Sequence, residues 1–215
     1  VTPPPARPKI YHITHIDNLP SILASGGLDS DATMIARGGP VSSIGMGTIK
    51  QRRLSLPVKC FPQDNVGQYV PFYFGPRSIM LYLLHRGNHA GVTHRGRQEP
   101  IIHLEADFSK AVDWADSDGR RWAFTLSNAG ATYTEFRCDT QHLNEINWDA
   151  VGARDFRDSS IKEGKQAEFL VRDFFPFAAV ERIGVQSPVV HSRVVRALAE
   201  SSHHPAVEVL PNRYY

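Results

Sequence analysis

Residues 163–176, EGKQAEFLVRDFFP, set one carboxylate, Glu168, between a polar loop and the apolar run Phe169, Leu170 and Val171. Read as a strand, the segment turns Glu168, Leu170 and Arg172 to one face and Ala167, Phe169 and Val171 to the other. An unpaired carboxylate is costly to bury. Glu168 is therefore paired, at a sheet edge, or held at the mouth of a site for chemistry. The pattern alone favours the edge reading, an ion pair with a nearby Lys or Arg.

Outward from this strand the periodicity switches repeatedly between two and three to four. KIYHITHI (9–16) alternates as a strand, and DNLPSILASGG (17–27) follows as a short helix with Asp17 as its cap and glycines to stop it. Residues 28–68 carry turn residues and little sustained periodicity, as expected of a long segment that covers a site. YVPFYF (69–74) reads as a strand, and GPRSIMLYLLHRG (75–87) as a helix capped by Ser78 and ended at Gly87. EPIIHLEADF (99–108), RRWAFTL (120–126), AAVERIGVQS (178–187) and PAVEVLPNRYY (205–215) supply further strands. SPVVHSRVVRALAES (187–201) is an amphipathic helix that Ser187 can cap. SNAGATYTEFRCD (127–139) is a loop of small residues, and INWDAV (146–151) fits neither period. No repeat or linker divides the chain. The expectation is α+β, with largely antiparallel strands.

Composition narrows the setting. A chain of 215 residues, 41% hydrophobic, can bury one substantial core as a single domain. A formal charge of +2 is too small to imply wholesale attraction to nucleic acid or membrane, although arginine outnumbers lysine 18 to 6, a bias that allows phosphate forks. Cys60 and Cys138 lie far apart without metal-ligand spacing, so a reducing, cytoplasmic setting is expected. No stretch is apolar enough to span a bilayer, and VTPPPARPKI (1–10) reads as an extended arm over residues 1–9, not a signal peptide.

Familiar motifs are weak. SIGMGTI (43–49) contains G-x-G but neither the preceding strand nor the third glycine of a dinucleotide fingerprint. His12 and His15 point to opposite faces of a strand and cannot share one metal, so no metal is expected. His103 reads as a packed histidine. Adjacent arginines in IKQRRL (49–54) ordinarily make a solvated face. Tyr73 and Phe74 ordinarily pack in a core; in the sharper reading they stack on bases while Arg77 and the helix start at Ser78 hold phosphate.

Taken together and in order, YHITHIDNLPSIL (11–23), IKQRRL, YVPFYFGPRSIMLY (69–82), QEPIIHL (98–104), KQAEFLV (165–171) and the terminal RYY resemble the DarT family, the DNA-modifying toxins of DarTG toxin–antitoxin systems. The resemblance spans nearly the whole chain. It implies a single domain over residues 1–215 with a PARP-like ADP-ribosyltransferase fold, a mixed sheet flanked by helices. It implies transfer of ADP-ribose from NAD to thymine in single-stranded DNA, in a short sequence context, with release of nicotinamide. On this likeness Glu168 and Arg53 are the catalytic pair. His12, Ile13, Thr14, Ser21, Asp29 and Arg53 are the NAD contacts, with residues 33–53 as the NAD-binding loop. Tyr73, Arg77 and Ser78 fall in the DNA-contacting block, and residues 131–167 match the substrate-recognition turn. Some relatives carry a histidine near SNAGATYTEF; here Thr132 and Tyr133 are the nearest substitutes. The implied partners are single-stranded DNA and a macrodomain antitoxin, for a monomer that needs no metal and no membrane. Two other readings stand beside it: an ADP-ribosyltransferase acting on protein, and a non-catalytic module binding single-stranded nucleic acid.

Overall fold

The computed structural model describes residues 2–215, so Val1 of the expected 1–9 arm lies outside the described residues. The chain opens with β1 (Lys9–His15), a 3-10 turn at Ile16–Asn18 and α1 (Leu19–Ala24). Next come β2 (Gly27–Asp29), α2 (Asp31–Ala36), α3 (Gly47–Arg53) and the hairpin β3 (Pro57–Val58) and β4 (Phe61–Asn65). β5 (Tyr69–Tyr73) leads into α4 (Ile79–Arg86), and β6 (Ile101–Asp107) into α5 (Phe108–Ser117). β7 (Trp122–Thr125), β8 (Phe136–Arg137), α6 (Trp148–Gly152) and α7 (Ser159–Gly164) precede β9 (Glu168–Arg172). β10 (Phe174–Pro176), β11 (Arg182–Val185), α8 (Pro188–Ala197) and β12 (Ala206–Val209) complete the α+β fold.

Eight strands form one mixed sheet in the order β12-β11-β6-β1-β5-β9-β7-β8. Neighbours are antiparallel except β11 and β12, which are parallel and joined through α8. β9 is an interior strand, so the edge position expected for Glu168 is not found. The face assignment of its neighbours holds: Phe169 and Val171 enter the large core with Phe72, Phe108 and Phe124, while Leu170 packs on the opposite face against Val58 and Val66.

The sheet is nearly divided at its centre. β1 pairs with β6 through seven registered partners, from Lys9↔Asp107 to His15↔Ile101, and β5 pairs with β9 through five. Between β1 and β5 there is a single rung, Tyr11↔Tyr73. Past it the strands part, and the His12 ring turns its Nδ1 to the Pro71 carbonyl at 2.8 Å. On one face, α4 packs Leu81 and Leu84 over Ile13 and Ile101, while the β3–β4 hairpin covers the β9 side.

Caps explain several boundaries. Ser78 accepts the Leu81 N–H at 3.2 Å, Gly87 ends α4 with φ 61°, and Ser187 accepts the Val190 N–H. Asp17 is not a cap. It sits in the 3-10 turn, bonded to Arg193, and Asn18 precedes α1. Lys9, the last residue of the expected arm and the first of the expected strand, begins β1, where its ammonium bridges Asp107 at 2.9 Å and Glu181 at 2.7 Å. Cys60 and Cys138, distant in sequence, are free thiols; burial, then hydrogen bonding to Cys138, push the Cys60 thiol up to about 12. Among the described residues no helix is long and apolar enough to cross a membrane.

His103 is fully buried, its Nε2 2.8 Å from the Pro76 carbonyl and its ring edge-on to Tyr214. Burial brings its pKa down to about 4, assisted by Arg213 and opposed by the Pro76 bond. The unfolded chain therefore binds a proton that the folded chain refuses. Stability is complete above about pH 6.5 and falls as pH drops toward 4, by about 3 kcal/mol from this residue alone. Urea unfolding of wild type and His103→Gln across pH 7 to 4 checks this; the variant is expected to have the flatter profile.

Candidate active site

Arg53 and Glu168, 115 residues apart, meet in a buried bidentate pair. Arg53 Nη1 donates to Glu168 Oε2 at 3.0 Å and Oε1 at 3.2 Å, and Nη2 donates to Oε2 at 3.0 Å. A fourth hydrogen bond comes from the Ala129 backbone N–H, 3.1 Å from Oε1. The strand beneath is held from behind: the Glu168 N–H donates to Thr125 Oγ1 at 3.1 Å, and that hydroxyl donates to the Ser127 carbonyl at 2.7 Å.

Local sequence sets this geometry. Arg53 is the last residue of α3, and successive helical residues point about 100° apart, so Arg52 is exposed where Arg53 is buried. The end of α3 seats on Gly67, where a Cβ would come within 2.7 Å of the Leu54 side chain and 3.0 Å of its Cα. On the other side, Gly130 N–H closes on Asn128 Oδ1 at 2.7 Å, and Asn128 Nδ2 donates to Gln166 Oε1 at 3.0 Å. This tight turn presents the Ala129 N–H.

Burial opposes the Arg53 charge, but the field and hydrogen bonds of Glu168 outweigh it and raise its pKa. Tyr73, the cross-strand partner of Glu168, is also raised, first by burial and then by the carboxylate, so it stays a phenol. Burial lowers the pKa of His12, with the Pro71 bond opposing. A carbonyl only accepts, so His12 Nδ1 carries the hydrogen, and the neutral ring leaves Nε2 as an acceptor.

These groups border one cleft of about 630 Å³, within the size range of nucleotide-cofactor sites. Ile13 and the residues on either side of it, His12 and Thr14, all line it. Adjacent strand residues face opposite sides of a sheet, so a sealed sheet would separate them. They share a cavity because β1 has left β5. The second wall is residues 34–53, pinned to β1 by Asn18, whose Nδ2 donates to the Ser42 carbonyl and whose Oδ1 accepts the Ser42 N–H, each at 2.8 Å.

A family model described as DarT, ssDNA thymidine ADP-ribosyltransferase, matches residues 11–215. The chain belongs to the DarT family. A DNA ADP-ribosyl transferase of Thermus aquaticus is 36% identical over 213 residues, 98% of this chain and 90% of the relative. The structure of Thermus sp. 2.9 DarT in complex with ADP-ribosylated ssDNA superposes with a TM-score of 0.89 at 33% identity, covering 100% of this chain and 99% of that one. Thermus sp. 2.9 DarT in complex with NAD+ gives 0.80 at 32% identity, covering 99% and 100%. The ADP-ribosyltransferase fold expected from the DarT motifs is thus the fold found.

Of the residues singled out by sequence, His12, Ile13, Thr14, Ser21, Asp29, Arg53, Tyr73 and Glu168 line the one cleft. Four do not. Ser78 is buried, and its hydroxyl accepts the Leu81 N–H as the cap of α4. Arg77 lies over the Tyr215 ring, 4.4 Å from its centroid. Thr132 and Tyr133 are exposed on the loop beyond Ala129, and a hydrogen bond with Glu163 raises the Tyr133 pKa. Sequence reasoning missed Asn18, Thr125 and the Asn128–Gly130 turn. That turn precedes the expected recognition segment 131–167, and its only signal was a run of small residues.

Removing one partner of a buried ion pair strands the other. Arg53→Ala is expected to lower the unfolding free energy by about 3 kcal/mol or more, and Arg52→Ala by less than about 0.5 kcal/mol. Denaturant titration of both variants measures the difference, and equal losses contradict the separation of the two arginines.

Proposed function

We propose that this chain transfers ADP-ribose from NAD to thymidine in single-stranded DNA and releases nicotinamide. The observation that carries this reading is the buried Arg53–Glu168 pair, set where the central strands part and lining a cleft of nucleotide size. Membership of the DarT family supports it. Neutral His12 suits the cleft to a ribose, because its free Nε2 can accept a hydroxyl. The strand edge of β1 beyond Tyr11 offers main-chain groups to an amide, and residues 34–53 supply the opposite wall.

In the reaction the bond from the ribose anomeric carbon to the nicotinamide nitrogen breaks, and its electron pair leaves with neutral nicotinamide. A bond forms from that carbon to the thymine ring nitrogen, whose proton passes to water. Positive charge develops on the ribose as the leaving group goes, and the fixed Glu168 carboxylate stabilises it. Arg53 holds that carboxylate in place and lends positive charge beside a thymine becoming anionic. Tyr73, protonated and on the same rung, stands at the wall where the base enters. The ring nitrogen lies on the Watson–Crick edge, so the acceptor must be unpaired.

The same reading makes the chain a toxin within a toxin–antitoxin pair. A mark on the cell's own DNA calls for a partner that removes ADP-ribose, for which a macrodomain is suited. A single domain over residues 1–215, acting as a monomer in the cytoplasm, is the simplest arrangement consistent with this role.

With labelled NAD, a thymidine-containing oligonucleotide should take up label when single-stranded and be protected by its complement. Glu168→Gln should lower the rate roughly 100- to 1000-fold while NAD still binds. Equal labelling of duplex and single strand refutes the acceptor assignment. Label entering protein and not DNA favours the protein-modifying alternative, and NAD left unconsumed favours a binding module.

A further inference from the structure

Ile79 and Leu83 of α4 line the large cleft, and both also line a second, separate hollow of about 400 Å³. Its other walls combine aromatic rings with cations. Tyr82, Phe156 and Tyr215 meet edge-on, with centroids 5.1 Å apart for Tyr82–Phe156, 5.1 Å for Tyr82–Tyr215 and 5.9 Å for Phe156–Tyr215. All three rings are only half-buried, and Tyr215 also packs against the core of Leu81, Leu84 and Ile101.

Arg154, Arg157 and Lys162 surround the rings, against one side-chain carboxylate, Asp155. Arg157 pairs with Asp155 at the surface at 2.5 Å, leaving the exposed Arg154 and Lys162 without a salt bridge among the described residues. Beneath, the Arg77 guanidinium backs the Tyr215 ring, and its Nε is buried without a hydrogen-bond partner. The charge balance selects an anion, and the rings select one that carries a flat aromatic group. The volume exceeds what a phosphate alone fills.

The hollow is also fixed relative to the reacting strand. Buried Lys165, three residues before Glu168, donates to the Val151 carbonyl at 3.0 Å and the Ala153 carbonyl at 2.7 Å. That tie holds the segment carrying Arg154 and Phe156 against the start of β9. A ligand seated here is therefore held at a set span from Glu168.

We propose that this hollow receives a nucleotide flanking the acceptor thymidine, its base against the Tyr82–Phe156–Tyr215 rings and its phosphate between Arg154 and Lys162. The proposal rests on the reading that single-stranded DNA is the acceptor. It gives the enzyme a sequence-tolerant grip on the strand beside the acceptor: stacking accepts any base, and the fixed span to Glu168 holds a nearby thymidine at the reacting carboxylate.

The test measures initial rates with labelled NAD over a range of thymidine-containing oligonucleotide concentrations, for wild type, Phe156→Ala and the double variant Arg154→Glu/Lys162→Glu. The KM for oligonucleotide should rise about tenfold or more in Phe156→Ala, the scale of removing one base stack, and should rise in the double variant as well, with KM for NAD unmoved in both. In the double variant the slope of log affinity against log salt should also flatten by about 0.7, the change for one single-strand phosphate that is no longer neutralised. If Phe156→Ala misfolds, the surface double variant carries the test alone. Unchanged oligonucleotide KM and salt slope, in an enzyme that labels single-stranded DNA, overturn the proposal and leave the acceptor reading standing. A rise in KM for NAD as large as that for DNA overturns it too, because the substitutions then act through the large cleft. Failure of the wild type to label single-stranded DNA removes the acceptor reading first and this inference with it.

Discussion

Everything around the site is arranged to pair one buried carboxylate. A buried charge is stable only if it is paired and its remaining lone pairs are satisfied. Glu168 meets that condition through donors from two distant parts of the chain: Arg53 at the end of α3 and the Ala129 N–H in the turn after β7. The close seating of Leu54 on Gly67 and the Asn128–Gly130 turn exist, in physical terms, to deliver those donors. The parted strands β1 and β5 then open the pair to a cleft.

This dependence explains what is legible in the sequence. Strands with clear alternation, such as β1 and β6, and helices with Ser caps and a glycine stop, such as α4, declare themselves because the signal is local. α5 escapes a sequence reading altogether: its cap is Asp107, the last residue of the preceding strand, so strand and helix signals overlap there. α2 and α3 are six and seven residues long, too short for periodicity to rise above the turn residues around them. An irregular cover over a site, the form expected of their segment, is right in place and wrong in form.

The site itself is legible only in part. Local reasoning makes Glu168 an edge residue and the adjacent arginines a solvated face. Each is half right. Glu168 is paired with an arginine, but across the interior of the fold, and Arg52 is solvated while Arg53 is not. Neither fact has a local signature, because a contact across 115 residues is decided by topology. The family likeness supplies the pairing that composition and spacing cannot. Backbone donors such as Ala129 stay invisible because any residue type except proline can present an N–H.

The lone pairs of Glu168 also constrain how the site can work. Its two oxygens accept four hydrogen bonds, about the full capacity of a carboxylate. A substrate hydroxyl that binds either oxygen must displace a donor already there. The longest contact, Arg53 Nη1 to Oε1 at 3.2 Å, belongs to a nitrogen that also reaches Oε2 at 3.0 Å, so giving it up leaves the arginine anchored. Ala129, by contrast, has no second acceptor on the carboxylate. The pair can thus yield one bond to a ligand while keeping its charge and position, the combination that a preorganised electrostatic site requires.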